Sequence, residues 1–322
     1  MNIKITSKYK KYTLIVIILL LIFAFAFYYI LDMFYNLALS PQINKDNVFK
    51  SSHNAPTQKY DMTEIINNNN IFKDSSQIIK ITSFDNLNLT AYKMTQKKDN
   101  NKWVIINHGY MQQPYQMGHA GLKFFEGGYN VLIPHMRGHG ESEGTYIGMG
   151  FHDSKDVVSW IEYILSQNNN AQIAVYGVSM GAAAVMILSG ENLPDNVKCF
   201  IEDCGYTSAW DEFAYQLKEL YNLPSFPVMN GVNMLVKFRA GYDLKEASAI
   251  NQIKKCSRPM LFIHGDKDRF VPFTMLKKLY TASSCPEKEL FIAHNAGHAE
   301  SFKMYKDIYW QKVLDFADKY IK

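Results

Sequence analysis

The sequence predicts an α/β fold: a mostly parallel eight-stranded sheet with helices on both faces and a small helical lid, preceded by one N-terminal transmembrane helix. Three observations carry this. From Ile78 onward, short apolar runs alternate with helix-like segments, the rhythm of a parallel sheet covered on both sides. Gln172–Tyr176 runs apolar into Gly177-Val178-Ser179-Met180-Gly181 and then into the helix-forming Ala182–Leu188. Strand, sharp turn and helix in that order lift one serine hydroxyl above a sheet. Thr13–Leu31 holds 19 residues without a charge, which at ~1.5 Å per residue spans a bilayer's hydrocarbon core.

The apolar stretch is read as a membrane anchor. Lys4, Lys8, Lys10 and Lys11 precede it, Tyr28 and Tyr29 sit at its far end, and Asp32 follows. Aromatic rings favour the interface, and the positive-inside rule puts residues 1–12 in the cytoplasm and everything after Leu31 outside the cell membrane. A cleaved signal peptide is the competing reading. Its apolar core would normally be about 7 to 15 residues, with small residues flanking the cut. The core here is longer, and the only candidate site, Ala38-Leu39-Ser40, is followed by Pro41, which disfavours cleavage. A buried helix of a soluble domain is a third reading, opposed by the lysine cluster. Residues 32–77 are polar and Asn-rich, a juxtamembrane stalk packed partly on the domain, with a short helix over Asp61–Asn67.

The domain proper, residues 78–322, opens with strands Gln77–Phe84 and Leu89–Thr95, an antiparallel hairpin. Lys102–Asn107 is continuously apolar, as a strand buried on both faces should be. Helix Gln116–Glu126 stops at Gly127-Gly128. Strand Asn130–Pro134, helix Asp153–Ser166, strand Gln172–Gly177, the helix after Ser179 and strand Val197–Asp203 follow. Regularity lapses between Tyr206 and Ile253, where helix-like pieces at Trp210–Leu220 and Val232–Phe238 flank Leu223-Pro224-Ser225-Phe226-Pro227. This insertion is the expected lid over the strand ends. Strand Pro259–His264, helix Pro272–Ala282, strand Lys288–His294 and helix Ser301–Tyr320 complete the chain, with Pro272 suited to a first helical turn.

The 322 residues allow one such domain plus extras. A net charge of +4, much of it at the N-terminus, and no basic patch interleaved with aromatics exclude nucleic acid as a partner. None of Cys199, Cys204, Cys256 and Cys285 has metal-ligand spacing, and no metal or cofactor is expected. Cys199 and Cys204 share one strand and cannot bridge each other. Cys256 and Cys285 each precede one of two neighbouring strands, so an external disulfide and two free buried thiols both remain open. Nothing in the sequence sets the oligomeric state.

A serine hydroxyl needs a base to become a nucleophile, and that base needs an orienting acid. Behind a Gly-x-Ser-x-Gly turn the expected order is Ser, acid, His. His264-Gly265-Asp266-Lys267-Asp268 and His294-Asn295-Ala296-Gly297-His298 both leave the carboxyl ends of predicted strands, the edge that carries Ser179. The candidate catalytic set is therefore Ser179, Asp268 and His298. Asp266 and Asp203 are weaker candidates for the acid, and His294 for the base. His108, His139 and His264 read as core histidines. Two N–H donors should hold the developing oxyanion, one from Met180 and one from Tyr110, with Met111 the alternate.

These features together resemble the α/β-hydrolase superfamily over about Ile78–Tyr320. The resemblance rests on His108-Gly109-Tyr110, Arg137-Gly138-His139-Gly140-Glu141-Ser142, the turn at Ser179, the His264–Pro272 loop and Gly297-His298. Glu202-Asp203-Cys204-Gly205-Tyr206-Thr207-Ser208 is similar to membrane-anchored bacterial serine hydrolases of the Bem46-like and serine-aminopeptidase-like kind. That group usually has an Asp shortly before the Arg-Gly-His-Gly run, where His135 stands here. The resemblance implies the α/β-hydrolase fold and hydrolysis of an ester, thioester or amide through an acyl-enzyme, without naming the substrate.

The expected function is carboxylic-ester hydrolysis, esterase- or lipase-like, on a small-molecule or lipid-like acyl substrate, because the lid segment is rich in Tyr, Phe, Met and Leu. Those residues also serve as simple packing. A peptidase trimming N-terminal residues would need a lid acid for the α-ammonium, and Asp211, Glu212, Glu219, Asp243 and Glu246 are available. Acyl transfer to another alcohol is a third outcome of the same intermediate. A non-catalytic surface binding module is opposed by the complete Ser, Asp, His set. A dehalogenase would need a carboxylate in place of Ser179.

Overall fold

The computed structural model describes residues 7–43, 45, 59–98 and 100–322. Lys4, the Lys8 side chain and part of the expected stalk, residues 44 and 46–58, lie outside the described residues.

The eight strands are β1 (Gln77–Thr82), β2 (Asn88–Met94), β3 (Lys102–Asn107), β4 (Asn130–Pro134), β5 (Gln172–Val178), β6 (Val197–Asp203), β7 (Met260–Gly265) and β8 (Lys288–Ala293). They form one sheet in the order β1-β2-β4-β3-β5-β6-β7-β8. β1 pairs antiparallel with β2, and β2 antiparallel with β4; the remaining pairs are parallel. Every residue of β4 and β7 is buried, while the edge strand β1 is largely exposed.

Strand alternation sorts the apolar side chains onto two faces. Trp103, Ile105, Ile173 and Val175 pack on one side against α4 (Phe151–Gln167), α5 (Met180–Leu188) and α8 (Phe273–Ala282). Val104, Ile106, Ala174 and Tyr176 pack on the other against α3 (Gly118–Glu126) and α9 (Ser301–Tyr320). Phe72 of α2 (Thr63–Ser75) joins the second face. The expected helix over Asp61–Asn67 thus starts later and runs longer, because Asn69 and Phe72 are buried against the α3 side.

A third cluster is built by α6 (Ala209–Tyr221), α7 (Val228–Ala240) and the end of α1 (Ser7–Leu39). α1 is apolar and long enough to cross a membrane, with most of its apolar window exposed. The helix does not give way to a stalk at Asp32 but continues eight residues to Leu39. The reason is a second pattern hidden behind the first charge. Leu31, Tyr35 and Leu39, spaced by four, are buried as one stripe. Gly231 of α7 lets this stripe approach, since a Cβ there would lie 2.4 Å from Leu31 Cδ1. Asp32 is neutralised by Arg239 at 2.6 Å. The last carbonyls of α1, orphaned at any helix end, are taken by the domain: Tyr110 Oη donates to Ala38 O at 2.6 Å, and Ile147 N to Leu39 O at 2.8 Å.

Cys199, Cys204, Cys256 and Cys285 are free and buried. Cys256 Sγ donates to Arg258 O at 3.2 Å, just before β7.

Candidate active site

Ser179 occupies the turn between β5 and α5 with φ +57°, a left-handed backbone that a side chain adopts only when its surroundings force it. The flanking glycines show how tight those surroundings are. A Cβ on Gly177 would lie 2.3 Å from Gly181 O, and one on Gly181 would lie 2.2 Å from Asn107 O. Both obstacles are backbone and cannot move aside. Ser179 N donates to Asp203 O at 2.8 Å, which ties the turn to the end of β6.

The loops after β7 and β8 bring the other two side chains to this edge. His298 Nε2 lies 2.9 Å from Ser179 Oγ, and His298 Nδ1 lies 2.8 Å from Asp268 Oδ2. Asp268 can only accept, so Nδ1 carries the proton and Nε2 is left to accept from the serine hydroxyl. Asp268 is itself pinned, its Oδ1 accepting from Phe270 N and Val271 N at 2.9 Å each. Burial alone would raise its pKa, but the charge of His298 and the hydrogen bonds from His264 and His298 hold the carboxyl well below the usual range.

The alternatives separate cleanly. Asp266 bonds His294 Nδ1 at 2.9 Å and Asn295 N at 2.7 Å, apart from the serine. Asp203 accepts from Tyr309 Oη at 2.8 Å. Met111 N donates to His139 Nε2 at 3.1 Å, which occupies the alternate oxyanion donor. Met180 begins α5, so its N–H lies at a helix N-terminus, where the macrodipole favours negative charge. His108 and His139 are buried and hydrogen-bonded to backbone, as core histidines should be.

Two participants escaped the sequence reading. His264 is more than a core residue: its Nε2 sits 3.2 Å from Asp268 Oδ2 and 2.9 Å from Val271 O. Burial opposes its charge, yet the Asp268 hydrogen bond and charge raise its pKa to about 9. The i,i+4 spacing to Asp268 was the available signal. The second participant is the end of α1. A narrow apolar slot of about 80 Å³ opens from Ser179 and is walled by Phe34 and Ala38 of α1, Phe213 and Leu217 of α6, and Val228 and Val232 of α7. Glu212, one of the lid acids the sequence offered, stands inside that slot's wall and is almost fully buried. Its Oε1 accepts from Gln216 Nε2 at 2.9 Å, while Oε2 has no partner among the described residues. Burial pushes its carboxyl up to about 8.

A second, wider cleft of about 710 Å³ also reaches Ser179 and is bordered by Gly109, Met111, His298, Lys45 and Lys303. Cys204, Asp268 and His298 place ligand-type atoms within 4.8 Å of one another. Both Asp268 and His298 are already committed there to the serine relay.

The family model described as the alpha/beta hydrolase fold matches residues 102–223. Protein YqkD of Bacillus subtilis is 30% identical over 260 residues, covering 79% of this chain and 85% of that one. Protein bem46 of Schizosaccharomyces pombe is 25% identical over 247 residues, covering 74% and 75%. Among solved structures, the Pyrococcus furiosus esterase Pf2001 superposes with a TM-score of 0.63 at 21% identity, over 82% of this chain and 98% of its own. The acylaminoacyl peptidase of Pyrococcus horikoshii superposes with a TM-score of 0.57 at 18% identity, over 79% of this chain and 44% of its own. At these identities the two structures speak for the fold alone.

Proposed function

The chain belongs to the α/β-hydrolase family, and from that premise we propose that it is a membrane-anchored serine hydrolase that cleaves carboxylic esters through an acyl-enzyme. One observation carries the reading: Ser179 Oγ, the His298 ring and Asp268 stand in hydrogen-bonded series at 2.9 and 2.8 Å, at the mouth of an apolar slot. Ser179 Oγ attacks the ester carbonyl carbon while His298 Nε2 takes its proton. Asp268 keeps the ring in the tautomer that can do so. The N–H groups of Met180 and Tyr110 receive the oxyanion, and loss of one such donor costs roughly 10²–10³ in turnover. His298 returns the proton to the departing alcohol, and water then repeats the sequence on the acyl-enzyme to release the acid.

The acyl group enters the slot between lid and anchor. The slot, at about 80 Å³, is small and walled by apolar side chains. Short and medium acyl chains follow. α1 crosses the cell membrane with residues 1–12 inside and the domain outside, in keeping with the lysines that precede the apolar run.

Glu212 favours a second reading. An unpartnered carboxyl oxygen in an apolar wall would suit a substrate with an ammonium or amide donor on its acyl part, as an aminopeptidase substrate has. Ser179→Ala tests the first premise of both: it should abolish p-nitrophenyl ester turnover and fluorophosphonate labelling, and labelling that persists elsewhere on the domain overturns the assignment. Esters of graded chain length run beside aminoacyl amides separate the two substrates.

A further inference from the structure

The two cavities that meet at Ser179 differ in what borders them, and the difference gives the ester a direction. His298 must hand its proton to the leaving oxygen, and His298 borders the wide cleft but not the slot. The acyl part therefore lies in the slot and the leaving group in the cleft. The cleft wall is also where the chain keeps a buried cation. Lys45 is only 2% exposed, and its ammonium lies 4.8 Å from the Tyr110 ring centroid. Its one hydrogen-bond acceptor among the described residues is Met111 Sδ, at 3.6 Å. A thioether is a weak acceptor. No ion pair involves Lys45 or Lys303 among the described residues, and both border the same cleft. A buried ammonium without a counter-ion is costly; here burial alone brings its pKa down to about 7. An incoming anion would relieve that cost.

We propose that the leaving group is an alcohol bearing an anion, phosphate or carboxylate, and that Lys45 holds that anion in the cleft, with Lys303 as a second cation in its wall. This rests on the hydrolase reading above. The chemistry balances without a co-reactant other than water. The Ser179 Oγ–carbonyl bond forms and the carbonyl–alcohol bond breaks. The serine proton travels through His298 to the departing oxygen, and the anion keeps its charge throughout. Flexible Met111 swings away as the anion replaces its sulfur.

The test uses the full chain in detergent micelles with three hexanoyl esters of one carbon skeleton: glycerol, glycerate and glycerol phosphate. The wild type should prefer one or both anionic esters, and the two anionic arms identify the anion. Lys45→Met should cut the anionic-to-neutral ratio of kcat/KM about ten- to a hundredfold, the range for a hydrogen bond to a charged group. The loss should fall mainly on KM, and Lys45→Arg should restore much of the ratio. The melting temperature of Lys45→Met should hold or rise, since an uncompensated buried charge is removed; Lys45→Gln replaces it should Lys45→Met unfold. Equal hydrolysis of all three esters, with no change of ratio in any Lys45 variant, overturns the proposal while sparing the hydrolase reading. Failure of the wild type on every ester overturns both.

Discussion

Asp268→Asn is the sharpest probe of the relay, because the surroundings leave the amide only one workable orientation. Asp268 Oδ1 accepts two backbone N–H groups at 2.9 Å, so the asparagine oxygen must stay there. Its NH₂ then faces His298 Nδ1 and His264 Nε2, where the carboxylate accepted at 2.8 and 3.2 Å. Two donors now meet at each contact. His298 relieves its clash by shifting its proton to Nε2, which points that proton at Ser179 Oγ and removes the base. A wrong tautomer of this kind costs about 10⁴ in kcat, or about 5 kcal/mol at about 1.4 kcal/mol per decade. The assay is p-nitrophenyl hexanoate turnover at pH 7.5, with fluorophosphonate labelling rate as a second readout. Both should fall together, with KM little changed. Retention of more than about a tenth of wild-type kcat would mean that the ring does not depend on Asp268 for its tautomer, and the general-base argument would fail.

Two other outcomes follow from the same structure. The Glu212 carboxyl is raised from 4.5 to about 8 by burial, so the folded state keeps a proton that the unfolded state releases above 4.5. Its stabilising contribution is complete below pH 4.5 and is lost as pH rises through about 8. Glu212→Gln should therefore melt with a growing advantage over wild type between pH 5 and 9, on the order of a few kcal/mol at the alkaline end; a pH-independent difference refutes the burial argument. For the anchor, protease shaving of intact cells should release the domain, whereas release only from broken cells reverses the orientation.

Much of the candidate site was legible because its parts are local. The glycines at 177 and 181 announce a turn whose backbone clearances are 2.3 and 2.2 Å, and that constraint is written into residue type. The loops carrying Asp268 and His298 follow recognisable buried strands, and parallel strands place their carboxyl ends on one edge whatever lies between them. The choice of Asp268 over Asp266 came from position within the loop, and the hydrogen bonds divide the two acids accordingly. The extension of α1 was less legible. Its stripe Leu31, Tyr35, Leu39 begins at a charge, Asp32, that marks the end of a membrane span only until Arg239 is seen beside it.

Taken alone, the sequence determined the layered α/β order, the glycine-flanked serine turn, the loops that bring an aspartate and a histidine to its edge, and an apolar helix long enough for a bilayer. Those depend on residue type and short-range spacing. Only the tertiary structure decided that the last turns of α1 wall the slot, that Tyr110 ties those turns to the loop beside Ser179, and that Glu212 and Lys45 lie buried on two sides of the same hydroxyl. Each of these joins segments from 30 to over 170 positions apart. Such meetings are set by how helices pack over the sheet, and a single chain's local pattern carries no record of them.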